Sequence, residues 1–176
     1  LRVVRLQFGS LDLRHVTRLR QITELDLRDS SLLKGSLVSI SELGQLEVLR
    51  LSQDVPALEE LDAIVKLPHL KVLDMSRVSR LDDKAFEKVS GAANIQSLVI
   101  QSGRLADSSF KYLSRLQALK HLELRSISKA TAKTAIGRVL TLPNLESLLM
   151  SGGGITDELI PEIVKLQSLK ILTLQE

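Results

Sequence analysis

Apolar residues recur along this chain with a fixed spacing inside short blocks and a nearly fixed spacing between them. Each block has an apolar residue, two variable residues, a second apolar residue, one variable residue and a third apolar residue. We assign eight blocks, which begin at Val3, Ile22, Leu46, Leu70, Ile95, Leu119, Leu145 and Leu169. Successive blocks start 19 to 26 residues apart, so the chain is a tandem repeat.

The spacing changes within each repeat, and the change predicts two kinds of element. Alternating apolar positions inside a block predict a short strand, whereas the spacing from Leu105 to Leu116 is typical of a helix. Three of the helical stretches carry an aspartate near their start, which can accept hydrogen bonds from free backbone N–H groups. These aspartates are Asp83, Asp107 and Asp157. Each repeat is therefore predicted to contain a strand, a turn, a helix and a return loop.

Three segments carry a family resemblance: ITELDLRDSSL (22–32), LKHLELRSI (119–127) and LESLLMSGGGITDELIPEIVKLQSLKILTL (145–174). They resemble leucine-rich repeats. The spacing of 24 to 26 residues, with the Ile-Thr-Asp opening at 155–157, is similar to the ribonuclease-inhibitor-like and F-box-associated subtype. The resemblance extends from Val3 to Leu174. It implies an α/β fold: a right-handed solenoid of about eight repeats, with a concave parallel β-sheet and convex helices, in a single domain over residues 1–176.

The chain departs from the family pattern at one position of each repeat. The family usually has Asn or Cys three residues after the last apolar strand position, where the side chain bonds neighbouring backbone. This chain has Leu11, Ser30, Asp54, Val78, Gly103, Ile127 and Gly153 there. Only Ser30 and Asp54 have the chemistry for that role, so the other turns must satisfy their backbone groups differently.

The residues between and just after the inward leucines are expected to line the concave face, because successive side chains of a strand point to opposite faces. The charged members are Arg5, Arg28, Arg50, Arg125, Glu24, Asp26, Asp74 and Glu123. Four positive and four negative charges leave this face neutral. As the partner-binding residues we predict Arg50, Asp74, Val99, His121, Glu123, Arg125, Leu149 and Ile171.

The alternative for the charged residues is a solvent-exposed ladder of ion pairs that stabilises the sheet and binds no partner. Asp26, Arg50 and Asp74 occupy the same place on successive strands, and opposite charges side by side on a sheet stabilise it by about 0.2 to 1 kcal/mol per pair. The apolar members Val99, Leu149 and Ile171 have their own alternative, which is scattered surface apolarity or cover by further repeats. The sequence leaves these alternatives open.

Composition removes several classes of function. The chain has 176 residues, 44% of them apolar, which is ample for a core, and it has no cysteine, so disulfides, thiolate metal sites and a cysteine nucleophile are excluded. His15 and His69 have no carboxylates or other histidines at metal-binding spacing. His121, Glu123 and Arg125 lie two apart on one predicted strand, which suits a pH-sensitive contact with a partner. We therefore predict a non-enzymatic protein with no cofactor and no metal. No apolar run reaches the roughly 18 residues of a membrane span.

Three glycines at 152–154, before Ile155, superficially resemble a phosphate-binding loop. The Lys and Ser/Thr of such a loop are missing, and Asp157 would repel a phosphate. A tight turn that needs positive φ is the better interpretation.

A neutral face with an apolar patch suits a protein partner, whereas a nucleic-acid groove needs clustered positive charge and aromatic stacking platforms. The resemblance implies the substrate-receptor portion of an F-box ubiquitin ligase or the sensing portion of an intracellular immune receptor. The rival hypothesis is a structural scaffold that docks through its ends and helices. A third is nucleic-acid binding through the first 20 residues, which carry a net charge of +4. The partner's identity and the oligomeric state stay open.

The two ends of the chain and the residue types that it lacks indicate what kind of protein it comes from and where in the cell that protein is found. It starts with Leu1 and stops just after the last predicted strand, and neither end has a polar cap, so we expect a fragment of a larger protein. The absence of cysteine and of any Asn-x-Ser/Thr sequence favours an intracellular, cytoplasmic location.

Overall fold

A computed structural model describes residues 2–53, 58–78, 81–101 and 105–176. The described residues form one parallel sheet of eight strands that follow one another in chain order. The strands are β1 (Val3–Arg5), β2 (Glu24–Asp26), β3 (Val48–Arg50), β4 (Val72–Met75), β5 (Ser97–Gln101), β6 (His121–Arg125), β7 (Ser147–Ser151) and β8 (Ile171–Gln175). Each strand pairs only with its neighbours in sequence, so the sheet is open, and the predicted repeat architecture is confirmed.

Helical segments cover the other side of the sheet. The α-helices are α1 (Asp62–Val65), α2 (Asp83–Val89), α3 (Lys129–Val139) and α4 (Ile160–Ile163). Single turns and short runs of 3₁₀ helix span Leu13–Arg18, Ser36–Glu42, Leu58–Leu61, Asp107–Arg115 and Asp157–Leu159. About 24 residues must supply a strand, a helix and two loops, so little chain is left for the helix, and tight 3₁₀ turns take its place in several repeats.

The core lies between the sheet and the helical segments. The central strand leucines, such as Leu49, Leu73 and Leu98, are fully buried, as are Phe86 and Phe110 from the helical side. They belong to one continuous apolar cluster that runs along the solenoid. A single repeat buries its apolar face only against its neighbours, so stability depends on the stacking of adjacent repeats.

The first repeat is shifted by two residues from the predicted alignment. Val3 pairs with Glu24, Val4 with Leu25, and Arg5 with Asp26. Val4 is 7% exposed whereas Phe8 is 52% exposed, so the block assigned to Val3, Leu6 and Phe8 is wrong. Two alternative sets of apolar residues have the spacing of a block in this repeat, since Leu1, Val4 and Leu6 also fit the pattern. Strand pairing selects the second set, although Leu1 itself lies outside the described residues.

Ser30 plays the role that its position predicts. Its hydroxyl accepts a hydrogen bond from the Phe8 N–H (3.2 Å) and donates one to the Leu6 carbonyl (2.7 Å), which ties the first two repeats together. Val78 and Ile127 stand at the same place in later repeats and are buried in the core. In those repeats, apolar packing therefore holds the turn in place. Asp54 and Gly103, at the equivalent positions, lie outside the described residues.

The predicted helix caps are wrong in detail. Asp82 rather than Asp83 caps α2, and it accepts a hydrogen bond from the Ala85 N–H at 2.8 Å. Asp83 reaches the next repeat instead, where it accepts a hydrogen bond from the Ala106 N–H at 3.0 Å. The other two aspartates, Asp107 and Asp157, lie in the first turn of 3₁₀ helices that have no side-chain cap bond. The three predicted aspartates therefore stand one residue past the capping position of their helix.

Glu60 forms a second polar link between repeats on the helical side. Its carboxylate accepts hydrogen bonds from the Gly35 N–H (2.8 Å) and the Leu37 N–H (3.1 Å), at the start of the 3₁₀ helix Ser36–Glu42 in the preceding repeat. Glu60 is only 4% exposed. A buried carboxylate thus satisfies backbone donors that the 3₁₀ helix cannot satisfy itself.

The three glycines after β7 form the tight turn that the sequence predicts. Gly152 has φ of 126°, and a Cβ atom there would lie 2.7 Å from the Ile127 backbone. A Cβ on Gly154 would overlap the Ser128 carbonyl, whereas one on Gly153 would meet no atom within 4 Å. Close approach to the preceding repeat therefore requires two of the three glycines.

Replacing Gly152 with alanine should lower the free energy of unfolding by about 1 to 3 kcal/mol, because the side chain forces a strained φ and a clash. The matched change Gly153→Ala should alter it by less than about 0.5 kcal/mol. Urea unfolding monitored by circular dichroism measures both. Equal effects of the two substitutions would contradict the turn geometry.

Candidate functional site

The outer face of the sheet brings the predicted binding residues into ordered rows. The pairing register aligns Arg50 with Asp74, Asp74 with Val99, Val99 with Glu123, and Glu123 with Leu149. Five of the eight predicted residues therefore form one continuous row across five strands. His121 and Ile171 lie in the adjacent row, where both align with Ser147. Arg125 follows Glu123 on the same face of β6.

Side chains in the N-terminal half of this face neutralise one another. The Arg28 guanidinium donates two hydrogen bonds to the Asp26 carboxylate, at 3.0 and 2.7 Å, and lies 3.9 Å from Asp74. Arg50 donates to Glu24 at 2.6 Å. The hydrogen bond from Arg28 holds the pKa of Asp26 below its ordinary value. These ion pairs run diagonally or along one strand, and so differ from the straight ladder of Asp26, Arg50 and Asp74 considered from the sequence.

A shallow depression of about 150 Å³ opens in the C-terminal half of the same face. It is lined by Ser97, Leu98, Val99, His121, Leu122, Glu123, Ser147, Leu149 and Thr173. Four predicted residues, Val99, His121, Glu123 and Leu149, thus meet in one place, whereas Arg50 and Asp74 lie among the ion pairs. Ligand pockets for small molecules usually enclose about 300 to 1,000 Å³. This depression suits a single side chain of a larger partner.

A charge pair and an exposed apolar side chain lie beside the residues that line the depression. Arg125 donates to the Glu123 carboxylate, and both side chains remain partly exposed. Ile171, on the next strand but one, is 58% exposed. Three hydroxyl residues of the lining, Ser97, Ser147 and Thr173, were not among the predicted binding residues, because alternation places them on the face without showing that they border a hollow.

The described residues contain neither a candidate metal site nor a candidate membrane-spanning helix. Over 2–53, 58–78, 81–101 and 105–176, no group of three or more His, Asp or Glu side chains is placed to hold a metal ion. Within this part of the chain, no helix has both the length and the apolar character needed to cross a membrane.

No family model matches the chain, and no curated protein matches it in sequence. Its fold does match solved structures. An internalin from Listeria monocytogenes aligns with a TM-score of 0.55 and 18% identity, over 96% of this chain and 52% of that one. The ectodomain of the Arabidopsis receptor kinase HAESA, solved with a peptide hormone ligand, aligns with a TM-score of 0.56 and 15% identity, over 96% and 28%. The structure of TLR13 with a single-stranded RNA aligns with a TM-score of 0.59 and 18% identity, over 100% and 28%.

The fold is a leucine-rich-repeat solenoid. The chain spans about half or less of the length of these similar structures. Identities of 15 to 18% establish the fold alone. The finer resemblance to the ribonuclease-inhibitor-like and F-box-associated subtype stays a prediction.

Proposed function

We propose that this leucine-rich-repeat solenoid is a non-enzymatic protein-binding module that receives its partner on the concave sheet face. The observation that carries the proposal is the depression beside Val99 and Leu149, with exposed Ile171 nearby. Binding energy in protein interfaces concentrates in a few anchor side chains that fill such hollows. The depression offers apolar walls and hydroxyl groups to an anchor of that kind.

Charge distribution supports a protein partner over a nucleic acid. The concave face carries four basic and four acidic residues, and Arg28, Arg50 and Arg125 each contact a carboxylate. Phosphate binding needs uncompensated positive charge. The rows that the structure describes on this face contain no Phe, Tyr or Trp side chain on which bases can stack. Although TLR13 was solved with RNA, these residues provide neither feature.

Two finer roles follow from the resemblance and belong to the same proposal. The chain would be the substrate-receptor portion of an F-box ubiquitin ligase or the sensing portion of an intracellular immune receptor. In both roles the solenoid would act in the same way, by presenting the residues of its concave face rigidly to a partner. We accordingly propose that residues 1–176 form one domain of a larger intracellular protein.

A scaffold function is the second candidate, and exposed apolar side chains on the last repeat favour it. Val164 on the helical side is 70% exposed. Ile160 adds further apolar surface one turn before Val164. A scaffold would use this end face, rather than the depression, to dock against other subunits.

A pull-down from cell lysate distinguishes the two functions. Leu149→Asp places a charge in the depression and should reduce partner recovery about tenfold or more. The matched control is Val38→Asp, which changes an exposed valine on the helical side and should leave recovery unaltered. Every variant should first show an unchanged melting curve. The proteins recovered are then titrated in purified form.

The scaffold alternative predicts a different pattern. Recovery would then survive Leu149→Asp and be lost with Val164→Asp, on the exposed end face. That pattern would overturn the concave-face proposal.

A further inference from the structure

A polar groove borders the C-terminal ends of the first strands, away from the concave depression. Its main part has a volume of about 570 Å³ and is walled by side chains that include Phe8, Asp29, Gln53 and Arg77. A second hollow of about 420 Å³ continues it past Ser76 and Gln101. The two share Gln53 and Arg77, so the groove crosses several repeats.

Phe8 gives the groove an aromatic wall at one end. Its backbone is held on both sides, because its N–H donates to the Ser30 hydroxyl and its carbonyl accepts from the Ser31 N–H at 2.9 Å. Its side chain is nevertheless half exposed. An exposed aromatic ring on a backbone that is held in place is a platform on which a ligand can stack.

The charged side chains of the groove are already paired. Arg77 donates to Asp29 at 2.8 Å, although the two residues are 48 positions apart, and Arg28 is engaged by Asp26. Because each of these charged side chains already has a counterion, a charged ligand would gain little from binding to them. Gln7 and Gln101 add side-chain amides; the Gln7 amide donates to Asp29 at 3.5 Å and the Gln101 amide donates to Ser126. A side-chain amide carries two donors and an acceptor, so one such bond does not use up its hydrogen-bonding capacity.

We propose that this groove binds a neutral oligosaccharide. Sugar hydroxyls donate and accept at once, as the amides and serines of the lining do, and the apolar face of a sugar ring packs on an aromatic side chain. A peptide is recognised by apolar pockets for its side chains, whereas the described lining consists of polar and charged residues with Gly9 and Phe8. The main volume also lies in the usual range for small-ligand sites.

The test starts from an array of neutral glycans probed with the full chain. The glycan retained most strongly is then titrated into isotope-labelled protein and followed by NMR. Amide signals of Ser31, Gln53 and Arg77 should shift. Phe8→Ala should weaken binding about tenfold, and Phe8→Tyr should keep it, since tyrosine retains the aromatic platform.

Two control variants show whether glycan binding is local to this groove. Val38→Ala removes a comparably exposed apolar side chain on the helical side and should leave glycan affinity unchanged. Leu149→Asp should also leave it unchanged, so failure of the concave-face proposal does not affect this one.

Three results would overturn the proposal. They are retention of no neutral glycan, glycan binding that Phe8→Ala does not weaken, and capture of short peptides from a random array in a Phe8-dependent manner without glycan binding. The last result would identify the groove as a peptide site.

Discussion

Replacing Leu98 with alanine should lower the free energy of unfolding by about 2 to 5 kcal/mol, because it leaves a cavity in the middle of the core. Leu98 is fully buried in β5, between Leu73 of β4 and Leu122 of β6. A central repeat depends on both neighbours, so one cavity weakens two stacking interfaces. Denaturant unfolding followed by circular dichroism measures the change.

The adjacent residue supplies the matched control for this experiment. Val99 is on the same strand, but its side chain lies on the outer face and is only partly buried. Val99→Ala should therefore cost less than about 1 kcal/mol. If the two substitutions cost the same, the assignment of inner and outer faces along β5 is wrong.

Replacing Glu60 with alanine should lower the free energy of unfolding by about 2 to 4 kcal/mol, since two backbone donors lose a charged acceptor. The Gly35 and Leu37 N–H groups belong to the preceding repeat, so the substitution weakens a contact between repeats. Thermal and urea unfolding of the purified variant give the magnitude.

The neighbouring glutamate is a stringent control. Glu59 belongs to the same 3₁₀ helix but is exposed, and Glu59→Ala should change the free energy of unfolding by less than about 0.5 kcal/mol. Glu60→Gln should fall between the two alanine variants, because its amide oxygen accepts one hydrogen bond while its NH₂ group faces a donor. A loss no larger than that of Glu59→Ala would show that Glu60 does not hold the two repeats together.

Leucine spacing predicted the fold because it is set by burial, which every repeat must satisfy in the same way. Seven of the eight blocks align as the pattern indicated. The first failed because two apolar frames, two residues apart, fit equally well, and only pairing with β2 selects one. That shift moved Phe8 from the expected core to the surface, so the polar groove could not be foreseen from the sequence.

Alternation along the strands predicted which residues share the concave face. It could not show which of them form ion pairs and which line the depression. Whether Arg50 pairs with Glu24 or with Asp74 depends on side-chain rotamers and on the stagger of neighbouring strands. The depression also depends on relative side-chain size, since Ser97 and Ser147 leave space beside Val99 and Leu149. The same limits explain the misplaced helix caps, where one residue of offset turned Asp83 toward the next repeat.

The order of the strands has a consequence for how the chain reaches its native state. Paired residues of adjacent strands are 21 to 26 positions apart everywhere in the sheet. Forming the sheet therefore never requires closing a loop longer than about one repeat, and loop-closure entropy does not grow with the number of repeats. Folding can begin at any pair of well-packed repeats and spread in both directions, as a zipper does.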